Sequence, residues 1–321
     1  MQATTFCHDT RPEGGKFQVM GVRYTPNKPR NEGVTLVLAH GNAMHKEIWS
    51  TLLEYLFDFT ELQHEGVAIR EAWCIECPNH GESAVLNEAD IAKHFPEGNW
   101  SAWEYPNAML SFLRSRPGNT NFYEQNIMAV GHSNGGSAIL VLESLDPRLF
   151  TAHFLLDPAV SRPQDAPVRA VMERMITPFT WLRQDTWVDR KAARKALQAQ
   201  EGTRYWHPRV LDAYVGKALR THPAAKFPDP YTFNGVTLAC TKAYESASLF
   251  IAIRPQIVVL TPLFDIMHEL FRSDDKQVHL ILSTLDKFGV SSIADACRLP
   301  EPVSGRTGNS YQTIAKGGHM H

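Results

Sequence analysis

Ile127-Met128-Ala129-Val130-Gly131-His132-Ser133-Asn134-Gly135-Gly136 is the stretch on which the fold turns. Its first four residues form a short apolar run, which reads as a strand buried on both faces. The next five match G-x-S-x-G, and Gly135–Leu145 continues with helical spacing, so Ser133 falls in a strand-to-helix turn. Such a turn is strained, and the positions two residues either side of the serine come close to backbone. Glycine permits this without a Cβ clash. The turn lifts Oγ above the sheet at a helix N-terminus, where N–H groups and the helix dipole favour developing negative charge. Ser133 is therefore the predicted nucleophile.

Similar short runs lie on either side: Val34–Ala39, Ala72–Ile75, Phe154–Leu156 and Val278–Leu282. Helical patterns separate them, at Lys46–Phe57, Trp103–Ser115, Gly135–Leu145 and Pro262–Phe271. This alternation predicts an α/β fold, a doubly wound and mainly parallel sheet with right-handed crossovers. Phe17–Tyr24 alternates more and predicts an antiparallel edge strand. After Asp157 the rhythm breaks. Residues 161–226 contain no strand-like run but do carry Trp181, Trp187, Trp206 and frequent Pro, which predicts a helical cap inserted into the core. The expected domains are a core of 1–160 and 227–321 and a cap of 161–226.

A serine hydroxyl needs a base, an acid to orient that base and donors for the oxyanion. His40-Gly41-Asn42-Ala43 follows the run Val34–Ala39 and supplies a loop whose amides can face the serine. Asn42 or Ala43 is expected to donate from this loop and Asn134 from the elbow, each from the main chain. Of 14 histidines, His319 in Gly317-Gly318-His319-Met320 lies downstream of nucleophile and acid, the chain order this architecture uses; His321 is a weaker rival. His80 and His132 read as residues that pack or orient loops. Two aspartates compete for the acid: Asp286, after Val278–Leu282, and Asp157, after Phe154–Leu156. Both sit at strand ends where such sheets bind ligands. Asp286 is slightly preferred, and Asp265 is set aside because its surroundings are helical.

Composition narrows the function classes. The chain has 321 residues, of which 43% are hydrophobic, enough for a large core, and 32 basic against 34 acidic side chains leave no polyanion-binding stripe. Nucleic acid is not an expected partner. The cysteines, Cys7, Cys74, Cys77, Cys240 and Cys297, are odd in number, and Cys74-x-x-Cys77 lacks a second pair at zinc spacing. No metal or cofactor is expected. The first 15 residues lack a signal peptide's apolar core, and no run approaches the ~20 residues of a membrane span. The expectation is an intracellular, cytoplasmic chain.

With these motifs in place the sequence resembles the α/β-hydrolase superfamily over nearly its whole length. It is most similar to fungal hydrolases that include peroxisomal lipase-like proteins and hydrolases of host-selective-toxin biosynthesis. The resemblance rests on Ala39–Glu47, Asn79–Ser83, Gly131–Gly135, Val236–Cys240 and Gly318–Met320. It implies Ser133 as nucleophile, His319 as base, and Asn79–Ser83 as a structural loop beside the pocket. The implied activity is that of an esterase or lipase-like serine hydrolase, acting on a small-molecule ester or acyl substrate in fungal lipid or toxin metabolism. A homodimer is left open. An acyl transferase, a carbon–carbon hydrolase and a receptor with a degenerate site are the alternatives on the same fold. Members usually continue past the histidine into a final helix, whereas this chain ends at His321, without the Ser-Lys-Leu type of ending found on the peroxisomal kin.

Overall fold

A computed structural model describes residues 1–62, 67–96, 99–160, 166–249, 260–283 and 309–314. In chain order its strands are β1 (Gln2–Asp9), β2 (Gln18–Thr25), β3 (Val34–Ala39), β4 (Ile69–Ile75), β5 (Ile127–His132), β6 (Ala152–Leu156), β7 (Thr186–Trp187), β8 (Leu219–Thr221), β9 (Val236–Leu238), β10 (Gln277–Ser283) and β11 (Ser310–Ile314). Its α-helices are α1 (Ser50–Leu62), α2 (Gly81–Leu86), α3 (Glu88–His94), α4 (Glu104–Arg114), α5 (Asn134–Leu145), α6 (Ala166–Leu182), α7 (Arg190–Ala199), α8 (Pro208–Lys217), α9 (Lys242–Leu249) and α10 (Leu260–Arg272).

The main sheet has eight strands in the order β1-β2-β4-β3-β5-β6-β10-β11. From β4 to β11 every neighbouring pair is parallel, and β2 joins β4 antiparallel. The central strands read as continuous apolar runs because both faces are covered. In β3, Leu36 and Leu38 pack towards Leu53 and Phe57 of α1, while Val37 and Ala39 face the opposite core, with Phe112 of α4 and Ile139 of α5. Reversal of strand order around β3 makes the carboxyl ends of β3 and β5 the crevice where such sheets carry their sites.

Two features depart from the sequence reading. The strand predicted at Phe17–Tyr24 is antiparallel but not at the edge, because β1 pairs along its whole length from Gln2↔Thr25 to Asp9↔Gln18. β1 is mostly exposed and polar, so it lacks the apolar run that marks a central strand. The inserted region is also not purely helical. β7, β9 and β8 form a small antiparallel sheet, which crosses the boundary expected between 226 and 227. Strands of two and three residues are too short to show a period. Around this sheet Trp187, Leu197, Trp206, Leu211, Tyr214 and Leu238 form a separate apolar core. Met44, from the loop after β3, is buried inside it.

Among the described residues no helix is long and apolar enough to cross a membrane.

Candidate active site

The turn between β5 and α5 holds Ser133 at φ 53°, ψ −119°. A non-glycine residue keeps this conformation only where its surroundings enforce it. The enforcement here is steric. A Cβ on Gly135 would lie 2.2 Å from the Ala39 carbonyl oxygen, and one on Gly131 would lie 2.6 Å from the Gly136 Cα, so the helix start presses directly on strand backbone. Hydrogen bonds complete the clamp: the Ser133 N–H donates to Leu156 (2.9 Å), and its carbonyl accepts from Ser137 (3.2 Å) and Ala159 (3.0 Å). With the Ser133 amide committed, the next one, Asn134, heads α5, where the first-turn N–H groups have no partner within the helix.

The loop after β3 meets the elbow. A Cβ on Gly41 would come within 2.6 Å of His132 Nδ1 and 3.4 Å of Ser133 Cβ, so this loop and the serine are in direct contact. Backbone strain gathers at three adjacent strand ends: Ala43 (φ 63°), Ser133 (φ 53°) and Asp157 (φ 41°). Of the two loop amides expected to donate, that of Ala43 is already committed, donating to His80 Nε2 at 2.9 Å. Burial pushes His80 down to about 3, so its ring is neutral and Nδ1–H donates to Asn79 Oδ1 (2.6 Å). His40 is likewise buried and its pKa depressed by burial. Its Nε2 accepts the Cys77 N–H (3.0 Å), and Nδ1–H donates to the Gly41 carbonyl (2.8 Å). Neutral imidazoles therefore brace the loop from beneath.

Below them lies a charged cluster that sequence reasoning missed. The Lys46 ammonium is almost wholly buried, 3.1 Å from Glu82, 3.2 Å from Glu47 and 3.4 Å from Glu76. Burial alone would favour the neutral amine, but the carboxylates outweigh it and raise the pKa. Burial also pushes Glu76 up to about 7, with Lys46 offsetting only part of the shift. Burial acts on Glu47 in the same sense, but the His45 hydrogen bond and Lys46 outweigh it and hold this carboxyl at about 2. Glu76 also accepts the amides of Ser83 (2.8 Å) and Lys46 (3.3 Å), tying the end of β4 to both loops. The available signal was a lysine among polar residues straight after a glycine loop, a pattern that solvated turns share.

Asp157 follows β6. Its amide donates to Ile281 (2.9 Å), and its Oδ1 accepts the Ser283 amide (2.8 Å). Ser283 is paired with Ile314, the last residue of β11. Asp265 lies within α10. Asp286, His319 and His321 lie outside the described residues, as does Cys297. Cys74 and Cys77 are buried thiols whose pKa values burial raises, and Cys77 Sγ donates to Asn79 Oδ1 (3.0 Å). Among the described residues no three His, Cys, Asp or Glu side chains are grouped to hold a metal ion.

A strained serine elbow facing a glycine loop, on a sheet of this order, points to one family, and the family model described as alpha/beta hydrolase family matches residues 36–321. The chain belongs to the alpha/beta hydrolase family. It is 26% identical over 249 residues to the type I acyl-CoA thioesterase mpaH of Penicillium roqueforti, covering 71% of this chain and 53% of that protein. It is 30% identical over 128 residues to the peroxisomal membrane protein LPX1 of Saccharomyces cerevisiae, covering 40% of this chain and 31% of the relative. The chain thus spans about half the length of the first curated relatives it matches. The solved structure of the peroxisomal alpha-beta-hydrolase Lpx1 from Saccharomyces cerevisiae aligns with a TM-score of 0.71 at 16% identity, over 99% of this chain and 83% of that one. A thioesterase domain from the curacin biosynthetic pathway aligns with a TM-score of 0.62 at 12% identity, over 100% and 95%. At these identities the structural matches establish the fold.

Proposed function

We propose that this alpha/beta hydrolase cleaves an acyl ester or thioester through a covalent acyl-enzyme, with Ser133 as nucleophile. The observation that carries the reading is the Ser133 backbone at φ 53°, ψ −119°, pressed against the Gly41 loop. Ser133 Oγ attacks the carbonyl carbon and its proton passes to His319. The tetrahedral oxyanion is met by the amides of Asn134 and Asn42, since the Ala43 N–H is already bonded to His80. Collapse expels the alcohol or thiol, which takes the proton from His319. Water, deprotonated by the same imidazole, then releases the acid and restores the serine.

His319 as base is supported by topology. β11 is parallel to β10, so the chain leaves Ile314 at the same edge of the sheet as the elbow, five residues before His319. The same register supports Asp157 as the acid. The Asp157 carboxylate bonds the residue paired with Ile314, and its backbone is hydrogen-bonded within the same group of strand ends. The thioester class is supported by the acyl-CoA thioesterases among the relatives. Fungal lipid or secondary metabolism is the proposed setting.

A fluorophosphonate probe tests the nucleophile: it should label the protein at Ser133, and Ser133→Ala should not be labelled. A folded wild type that resists the probe would overturn the reading. In the same assay series, Asp157→Asn should lower kcat by about 10⁴, while Asp286→Asn should leave it within a few-fold. The reverse pattern would move the acid to Asp286.

A further inference from the structure

Helix α9 links the loop after β3 to the inserted region. Asn42 Nδ2 donates to the main-chain carbonyl of Glu245 in α9 (3.0 Å), across 203 residues of sequence. The Glu245 side chain is buried and forms an ion pair with Arg183, the residue that follows cap helix α6. Burial raises the Glu245 pKa, and Arg183 offsets only part of that cost. Two further contacts fasten the same junction: Lys242 Nζ donates to the Trp181 carbonyl (3.0 Å) and lies 3.6 Å from Asp185. Two residues after Asn42, Met44 is buried in the cap's own apolar core.

We propose that Arg183 and Glu245 are positioning residues of the oxyanion hole, setting the Asn42 amide through the carbonyl that holds its side chain. The inference rests on the reading of Ser133 and Asn42 given above. Glu245 carries the carbonyl that accepts from Asn42 Nδ2, and its buried carboxylate is ion-paired with Arg183. Without the guanidinium, the carboxylate must move towards water or take up a proton. Either change shifts the first turn of α9 and with it the Glu245 carbonyl. The Asn42 side chain then keeps only the contact of its Oδ1 with His80 Nε2 (3.2 Å), and its main-chain N–H loses its aim. A donor aimed at a charge that develops only in the transition state alters kcat and kcat/KM together and leaves KM nearly unchanged.

The test measures kcat and KM for a p-nitrophenyl ester, normalised to sites titrated with the fluorophosphonate, together with the inhibition constant of a trifluoromethyl ketone, which binds as a tetrahedral oxyanion. Arg183→Met should lower kcat about 10-fold or more, with KM within about 2-fold, and should weaken the ketone by the same factor. Arg183→Lys should restore most of both. Arg183→Met combined with Glu245→Gln should recover part of the loss, because no unpaired carboxylate is left. Glu245→Gln alone keeps the carbonyl and the side-chain shape, so it serves if Arg183→Met fails to fold; it should show a smaller loss in the same direction. Unchanged kcat and ketone affinity at titrated sites, with only the melting temperature lowered, would overturn the inference and leave the function reading intact. A wild type that the probe does not label would overturn both.

Discussion

The elbow and the glycine loop after β3 touch at Gly41 and Ser133, yet they are held by different physics. The elbow is fixed by backbone against backbone: Gly135 against the Ala39 carbonyl, Gly131 against Gly136, and main-chain hydrogen bonds from Ser133 to Leu156 and from Ala159 to Ser133. The loop is fixed largely through side chains: His80 Nε2 accepts the Ala43 N–H, Asn42 Nδ2 donates to the Glu245 carbonyl, Lys46 is ion-paired to the Glu76 carboxylate, and Met44 is buried in the separate apolar core around β7–β9. The first arrangement is main-chain and steric, whereas the second works through side chains and is largely electrostatic. The two proposed oxyanion donors, Asn42 and Asn134, must converge on one atom, so the proposed site is only as ordered as the less rigid of its two halves.

The largest expected effect comes from the electrostatic side. Lys46→Met keeps the volume but leaves buried carboxylates without their cation, and should cost about 3–5 kcal/mol in denaturant unfolding. Adding Glu76→Gln should return a substantial part of that loss. If Lys46→Met alone unfolds at the wild-type denaturant midpoint, charge does not hold the loop and the contrast with the elbow fails.

The steric half is tested by Gly135→Ala. A methyl placed 2.2 Å from the Ala39 carbonyl oxygen forces α5 away from β3, at a cost of about 1–3 kcal/mol for overpacking. The effect on activity should be larger than the effect on stability. A displacement of the serine by about 1 Å is enough to lower turnover roughly 10²-fold. Native-like activity in Gly135→Ala would mean that the elbow tolerates what its geometry forbids.

The same division explains what could be read from the sequence. Gly131-x-Ser133-x-Gly135 announces itself because the close backbone contacts are met by glycines two residues either side of the serine, and the central strands show because burial on two faces leaves unbroken apolar runs. β1 was hidden because it is an edge strand whose residues are mostly exposed, and β7, β8 and β9 because two or three residues carry no period. Ala43 could be named as a donor from its place in the loop, but nothing near it in sequence shows that His80, 37 residues away, takes its N–H. Arg183 and Glu245 lie 62 residues apart and resemble ordinary surface charges until the fold buries them together.

A smaller effect sharpens the comparison, because only the electrostatic half should respond to pH. Glu76 is raised from its ordinary value of 4.5 to about 7, chiefly by burial. The direction follows from the cluster itself. One ammonium faces three carboxylates, so a proton on the deepest of them removes repulsion as well as buried charge. A raised carboxyl means that the folded state binds a proton the unfolded chain has released. Its stabilising contribution is complete below the unfolded value and is lost as pH rises towards 7. Between roughly pH 5 and 6.5 the wild type should lose about 2 kcal/mol more than Glu76→Gln does, with unfolding of both proteins followed at matched pH. Parallel stability curves would mean that Glu76 is ionised throughout and fully paired with Lys46. The loop would then stand on an ordinary buried salt bridge, and its sensitivity to Lys46→Met would have to exceed that of a carboxyl able to neutralise itself.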